Sequence, residues 1–356
     1  MNYKNWIKAK NPNALCLFYR LFIGVYASSQ GGCYDPWKEY PDFEVNDALL
    51  KDMTTGKPMT NKDFTSEYLV DPANQWYRDY LKNWCQTRID NGFDGIWADM
   101  VRSWYPPPWH YGAARNPRTG MAYTDAEFAK DMRELVEYVG DIPIYANGFD
   151  QADGAYGVNK FKVNADVLMQ KIEGWMIEGP LGWSASDFNS RNQAAYTSNL
   201  NLLQSWMKQY PSKHCMLMNH EISNVPFAFI SFMLVVEGDN WSLKHGGKAV
   251  MESQQMQDFA NADYGTPMEE YQVNGSVFSR EYTKATFYAD YSDRTAWIEY
   301  KQNGGESLSF VNETSKTVVV YKRPIVVDEM IGTVIAGGSI DVVIDESKEK
   351  LVIKDQ

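Results

Sequence analysis

Two short segments of this 356-residue chain share one grammar: Asp94-Gly95-Ile96-Trp97-Ala98-Asp99 and Glu173-Gly174-Trp175-Met176-Ile177-Glu178. Each opens with an acid and a glycine, runs through three mostly apolar residues and stops at a second acid. Such a run predicts a short buried strand of a parallel sheet. In parallel α/β sheets and barrels, the C-terminal strand ends form the rim where ligands bind. Asp99 and Glu178 are thus expected on the rim, and Asp94 and Glu173 at the opposite, structural end. Two carboxyls on one rim are the minimum equipment for general acid–base work on a glycosidic bond. Taken singly, either acid reads equally well as a helix cap or a rim salt bridge.

Strand-like and helix-like segments alternate through the first ~250 residues, as a domain of that size requires. Strands are expected at 15–19, 67–70, 93–98, 142–146, 175–177, 215–218 and 240–243, and helices at 71–90, 124–139, 159–170, 189–209 and 226–236. Asp71-Pro72 is expected to cap the first of these helices, Asn91-Gly92 to stop it, and Thr124 to cap the next. Residues 27–61 read as an irregular excursion over the rim. This alternation predicts an α/β fold, a (β/α)8 TIM-type barrel covered by helices. Seven barrel strands are visible and residues 3–8 look helical, so the first strand is expected upstream of Met1 or in atypical form. From about Val277 the period changes to that of antiparallel strands. The expected division is a barrel over 1–265 and a small C-terminal β domain, sandwich-like, over 266–356.

Composition narrows the function. With 46 acidic against 34 basic side chains the net charge is −12, which leaves no basic stripe for nucleic acid or an anionic membrane. No apolar run approaches the ~18 residues of a membrane span. Residues 1–12 lack the apolar core of a signal peptide, so the chain as written is expected to be cytoplasmic, or released by a route other than the standard secretory one. The four cysteines are widely spaced without a CxxC pair, and the four histidines show no ligand spacing. Neither a metal nor a cofactor is expected. No GxGxxG, P-loop or nucleophile-elbow motif follows a strand. The 12 Trp and 23 Tyr are many for a core, and read equally well as a large, aromatic-rich core or as a groove on which sugar rings stack.

Between the two acid-ending strands, a third ends at Tyr145-Ala146-Asn147-Gly148, whose amide can bond a sugar hydroxyl or orient a carboxylate. Substrate contacts are expected from Trp97, Arg102, Trp104, Tyr105, Tyr145, Asn147 and Trp183, with His220 and Glu221 following a further strand. Gly92 to Asp99, Tyr145 to Gly148 and Glu173 to Gly179 resemble the barrel motifs of the hypothetical glycosyl hydrolase-like families and the related endo-α-1,4-polygalactosaminidases. Asn11-Pro12-Asn13 and Asp263-Tyr264-Gly265-Thr266-Pro267 share the likeness, which spans roughly residues 10–290. The resemblance implies that Asp99 and Glu178 are the paired catalytic acids and that the substrate is an α-linked poly- or oligosaccharide. Glu178 is assigned as general acid, by its longer reach and by that parallel, and Asp99 as the ionised partner. A separation near ~5.5 Å would mean retention and ~6.5–9.5 Å inversion. The competing expectation is a carbohydrate-binding or structural protein that kept the barrel and lost turnover.

Overall fold

Short apolar strands laid side by side in parallel form the frame of the protein. The computed structural model describes residues 3–27, 39–61, 66–101, 112–147, 168–178, 192–219, 225–245, 259 and 261–301, together with the backbone of four strands beyond them. The chain divides into two compact units, one of residues 1–151, 155–178 and 212–216, the other of 152–154, 179–211 and 217–356.

The first unit opens with α1 (Tyr3–Lys10), β1 (Leu17–Leu21), β2 (Gly24–Tyr26), α2 (Tyr40–Val45), β3 (Lys51–Asp52) and β4 (Glu67–Leu69). It continues through α3 (Gln75–Asp90), β5 (Gly95–Asp99), β6 (Ala114–Arg115), α4 (Asp125–Val139), β7 (Ile144–Asn147) and β8 (Gly174–Glu178). The next strand, β9 (His214–Asn219), starts here. The sheet order is β1-β5-β7-β8-β9, and the pairs β1/β5, β5/β7 and β7/β8 are parallel. An α/β fold with a parallel sheet is what the alternation predicted. The 67–70 strand is a correction, because β4 pairs antiparallel with β2 outside this sheet. Its three residues are too few to cross the sheet, and they close a small ribbon beside its edge strand.

Register explains the repeated acid–glycine pair. A methyl group at Gly95 would stand 2.7 Å from the Pro143 carbonyl oxygen. One at Gly174 would stand 2.5 Å from Tyr145 Cδ1 and 2.8 Å from the His214 carbonyl oxygen. Each glycine therefore lets a neighbouring strand or ring approach where no side chain fits. Gly174→Ala is expected to cost about 1–3 kcal/mol through overpacking, read as a lower urea midpoint. On the opposite face, Arg20, Ala98, Ala146 and Trp175 form one row across the four strands. Two large side chains bracket two alanines there. Arg20 is buried, paired with Glu39 at 2.7 Å and packed over Trp84 and Tyr80.

The helix caps follow the sequence with one revision. Thr124 caps α4 in a capping box with Glu127, and Gly92 takes φ +79° after α3. The α3 cap is Asn74, whose side chain accepts from the Tyr77 amide, and not Asp71. Asp71 instead accepts from the Ala73 amide and from the buried Tyr123 hydroxyl, so it closes the preceding turn. Helices α3 and α4 are joined by Arg78 and Glu134. At the strand starts, Lys8 and the Cys16 amide both hold Asp94, at 2.8 and 2.7 Å. Cys16, Cys85 and Cys215 are free and buried, and burial pushes the Cys85 thiol up to about 12. The helix expected at 159–170 lies almost wholly outside the described residues.

The second unit contains α5 (Gln193–Gln209), α6 (Val225–Met233) and β10 (Trp241–His245). Strands β11 (Gln272–Asn274), β12 (Val277–Glu281), β13 (Ala285–Asp290) and β14 (Thr295–Tyr300) follow, then β15 (Glu306–Phe310), β16 (Val319–Tyr321), β17 (Ile340–Asp345) and β18 (Lys350–Asp355). They form an eight-stranded antiparallel sheet of order β11-β12-β13-β14-β15-β16-β18-β17. Helix α6 is apolar almost all round and packs on β13 and β14. The junction is polar: the buried Arg280 guanidinium donates to the Val236 and Glu269 carbonyls and to Glu237. Tyr282 donates to the Met233 carbonyl. Gly265, at φ +75°, sits where an added methyl would meet Thr283 Oγ1 at 1.9 Å. Gly265→Ala is expected to lower the melting temperature by several degrees, through left-handed strain and this contact.

Candidate active site

Asp99 is the last residue of β5, and the chain leaves it through Met100 in a left-handed conformation, φ +61°. This turn folds the Met100 amide back onto Asp99 Oδ1 at 2.8 Å. Asn147, at the end of β7, donates its Nδ2 to the same oxygen at 2.9 Å. Tyr19 of β1 donates its hydroxyl to Oδ2 at 2.7 Å. Three donors, from the middle of β1, the end of β7 and the turn after β5, thus converge on one carboxyl, an arrangement matched to the ionised form, which only accepts. Two backbone bonds fix the frame: the Phe22 amide donates to the Asp99 carbonyl and the Val101 amide to the Asn147 carbonyl.

Tyr19 is 42 % exposed, and its hydroxyl is bonded to the Asp99 carboxyl. Burial of that hydroxyl, then the Asp99 charge, push the phenol far above its ordinary range, so it stays a donor. Behind it stands a group the sequence reading did not single out. Glu67 of β4 is buried and accepts from the Tyr26 hydroxyl at 3.3 Å. Its signal in the sequence is faint: an acid opening a strand of apolar and aromatic neighbours.

The expected site residues divide three ways. Asp99 and Asn147 are brought into direct contact, with Trp97 two residues below Asp99 on its strand and half-buried. Tyr145 is directed elsewhere. Its ring lies over Gly174, and burial followed by the charges of Glu173 and Asp94 raises its phenol. Its charged neighbours are thus acids of the strand starts, although by strand alternation it shares the sheet face of Trp97 and Asn147. Glu178 is the final residue of β8, two beyond Met176, which pairs with Asn147. Arg102, Trp104, Tyr105, Trp183, His220 and Glu221 lie outside the described residues.

Among the described residues, no group of three or more His, Cys, Asp or Glu side chains could hold a metal ion. No helix among them is long and apolar enough to cross a membrane. A cavity of about 680 Å³ lies in the second unit, walled by Phe229, Met233, Trp241, Phe259 and Tyr264. Its carboxyls are Asp239 and Asp263, and Asp263 is already tied to Lys284. The converging donors, not this cavity, mark the candidate site.

Comparison with known proteins places these features in context. Among solved structures, a noncanonic maltogenic α-amylase, AmyB from Thermotoga neapolitana, matches with a TM-score of 0.46 and 12% identity, over 87% of this chain and 76% of that one. The glycoside hydrolase domain of PelA from Pseudomonas aeruginosa matches with a TM-score of 0.43 and 10% identity, over 70% and 85%. Ega3 from Aspergillus fumigatus, in complex with galactosamine, matches with a TM-score of 0.39 and 10% identity, over 69% and 80%. No curated protein sequence matches the chain. The model of hypothetical glycosyl hydrolase family 15 matches residues 8–286, well over half the chain. The chain belongs to that family.

Proposed function

We propose that the protein is a glycoside hydrolase that cleaves an α-linked poly- or oligosaccharide with Asp99 and Glu178 on the rim of a (β/α)8-type barrel. The observation that carries this reading is the clamping of Asp99 by Tyr19, Asn147 and the Met100 amide at the end of a parallel strand. Family membership supports the reaction class. An anion fixed by three donors is oriented for attack at an anomeric carbon, or for holding a water against it. Glu178 ends a strand next to that of Asn147, and is assigned the protonated role, giving its proton to the leaving oxygen. Tyr19, still a donor at neutral pH, steadies the charge of Asp99 through the reaction.

The test is release of reducing ends from a panel of α-linked glycans, the galactosamine-containing ones included. Parent protein is expected to cleave at least one member, and Glu178→Gln to lose about 10²–10⁴-fold in kcat. Substrates with an activated leaving group are expected to recover much of that loss, because they need no proton. Binding of a glycan by the parent without any cleavage would defeat the proposal and favour a carbohydrate-binding protein.

A further inference from the structure

The antiparallel sheet of the second unit has two unlike faces. Phe278, Phe287, Ala289, Ala296 and Ile298 are buried on one of them. Alternation puts Ser279, Tyr288 and Trp297 on the other, as a cross-strand row over β12, β13 and β14, all three half-buried. The Tyr288 and Trp297 rings are stacked, with centroids 4.9 Å apart and planes 6° from parallel. The Tyr288 hydroxyl donates to Glu299 at 2.9 Å, which holds the pair in place. Trp297 covers one face of the Tyr288 ring, and the second face looks away from it toward β12. There the row continues with Ser279 and then the exposed Gln272. Two strand spacings, about 9–10 Å, separate Tyr288 from Gln272. A flat ring fits between them at van der Waals distance, with the short Ser279 as its floor.

The polar groups around this slot suit one kind of guest. The Ser279 hydroxyl and the Trp297 indole N–H carry no hydrogen bond among the described residues. Glu281, Asp290 and Glu299 share the face, and among the described residues the one ion pair they make is Glu281 with Lys301 at 3.3 Å. Such a surface repels acidic partners and accepts hydrogen bonds from hydroxyls or amines. We propose that the row is a second carbohydrate site, on which a sugar ring of a glycan without acidic groups stacks against Tyr288. The apolar face of the sugar lies on the phenol ring, and its hydroxyls meet Ser279, Gln272 and Glu299. Under the hydrolase reading, on which this purpose alone rests, the site tethers a polymer and raises its local concentration for cleavage.

The test is affinity electrophoresis of the full chain at moderate salt, in native gels containing dextran, soluble starch, glycol chitosan or polygalacturonate. Where the parent digests the gel glycan, every protein compared also carries Asp99→Asn. The parent is expected to be retarded by at least one of the first three glycans and not by polygalacturonate. Tyr288→Ala removes the platform, and Ser279→Leu fills the slot while leaving both rings. Each is expected to weaken retardation about tenfold or more, with kcat on a short soluble substrate unchanged. Should Tyr288→Ala fail to fold, Ser279→Leu decides alone. A parent that is not retarded, a folded variant retarded as strongly as the parent, or equal retardation by polygalacturonate overturns the proposal. Retardation lost in the variants, with no cleavage by the parent, sinks the hydrolase reading and leaves this site standing. Cleavage with retardation unchanged in the variants does the reverse.

Discussion

Asp99→Asn is expected to lower glycan cleavage about 10³-fold or more while leaving the melting temperature within a few degrees of the parent. Asparagine keeps one carbonyl oxygen for the Met100 amide and Asn147, so two of the three bonds to the side chain survive. Tyr19 then faces an amide NH₂ and can turn its hydroxyl to accept, which preserves packing. What disappears is the negative charge, and with it the proposed nucleophile or base. Asp99→Ala goes further, because it opens space for a small anion. Azide is expected to restore part of its turnover as a glycosyl azide of inverted configuration, and the anomeric configuration of the parent's own hydrolysis product, retained or inverted, distinguishes the nucleophile from the water-activating base. A variant with near-parental kcat would remove Asp99 from the chemistry.

Trp175→Ala is expected to cost about 3–5 kcal/mol, the largest stability loss of any substitution considered. Its ring is fully buried at the end of the row that starts with Arg20 and passes through Ala98 and Ala146. Neither alanine can expand into the space vacated, so the cavity stays open. Domains carry only about 5–15 kcal/mol of stability, so this one change consumes a large fraction of it. Urea unfolding is the measurement, with Trp175→Phe expected to recover most of the loss. The same strand ends at Glu178, so cleavage is expected to fall together with stability. A loss under about 1 kcal/mol would mean that the row packs around the missing ring.

Much of the frame was legible in the sequence because its signals are local. The Thr124 cap, the Gly92 stop and the strand ending at Asp99 each depend on residues within one turn or strand. The cap of α3 was misplaced because Asp71-Pro72 carries the same local chemistry as a helix start. Only the tertiary contact with Tyr123 decides that Asp71 closes a turn. Strand 67–69 looked like a barrel strand, since three residues cannot declare parallel or antiparallel pairing. The site was half legible. Asp99 and Asn147 announced themselves as polar endings of apolar runs. Tyr19 did not, because its contact with Asp99 joins residues 80 positions apart. Tyr145 was assigned to the rim by its place near a strand end; alternation gives it the face of Asn147, but its ring lies over the bare Gly174, near the acids of the strand starts.

The left-handed methionine behind Asp99 sets robustness against turnover. A side chain held at φ +61° stores about 1–3 kcal/mol that glycine would release. Selection for heat tolerance alone would therefore reward glycine at position 100. The hinge thus loosened would let the acid swing off its donors, so the hardier clones of such a screen would be the slower enzymes.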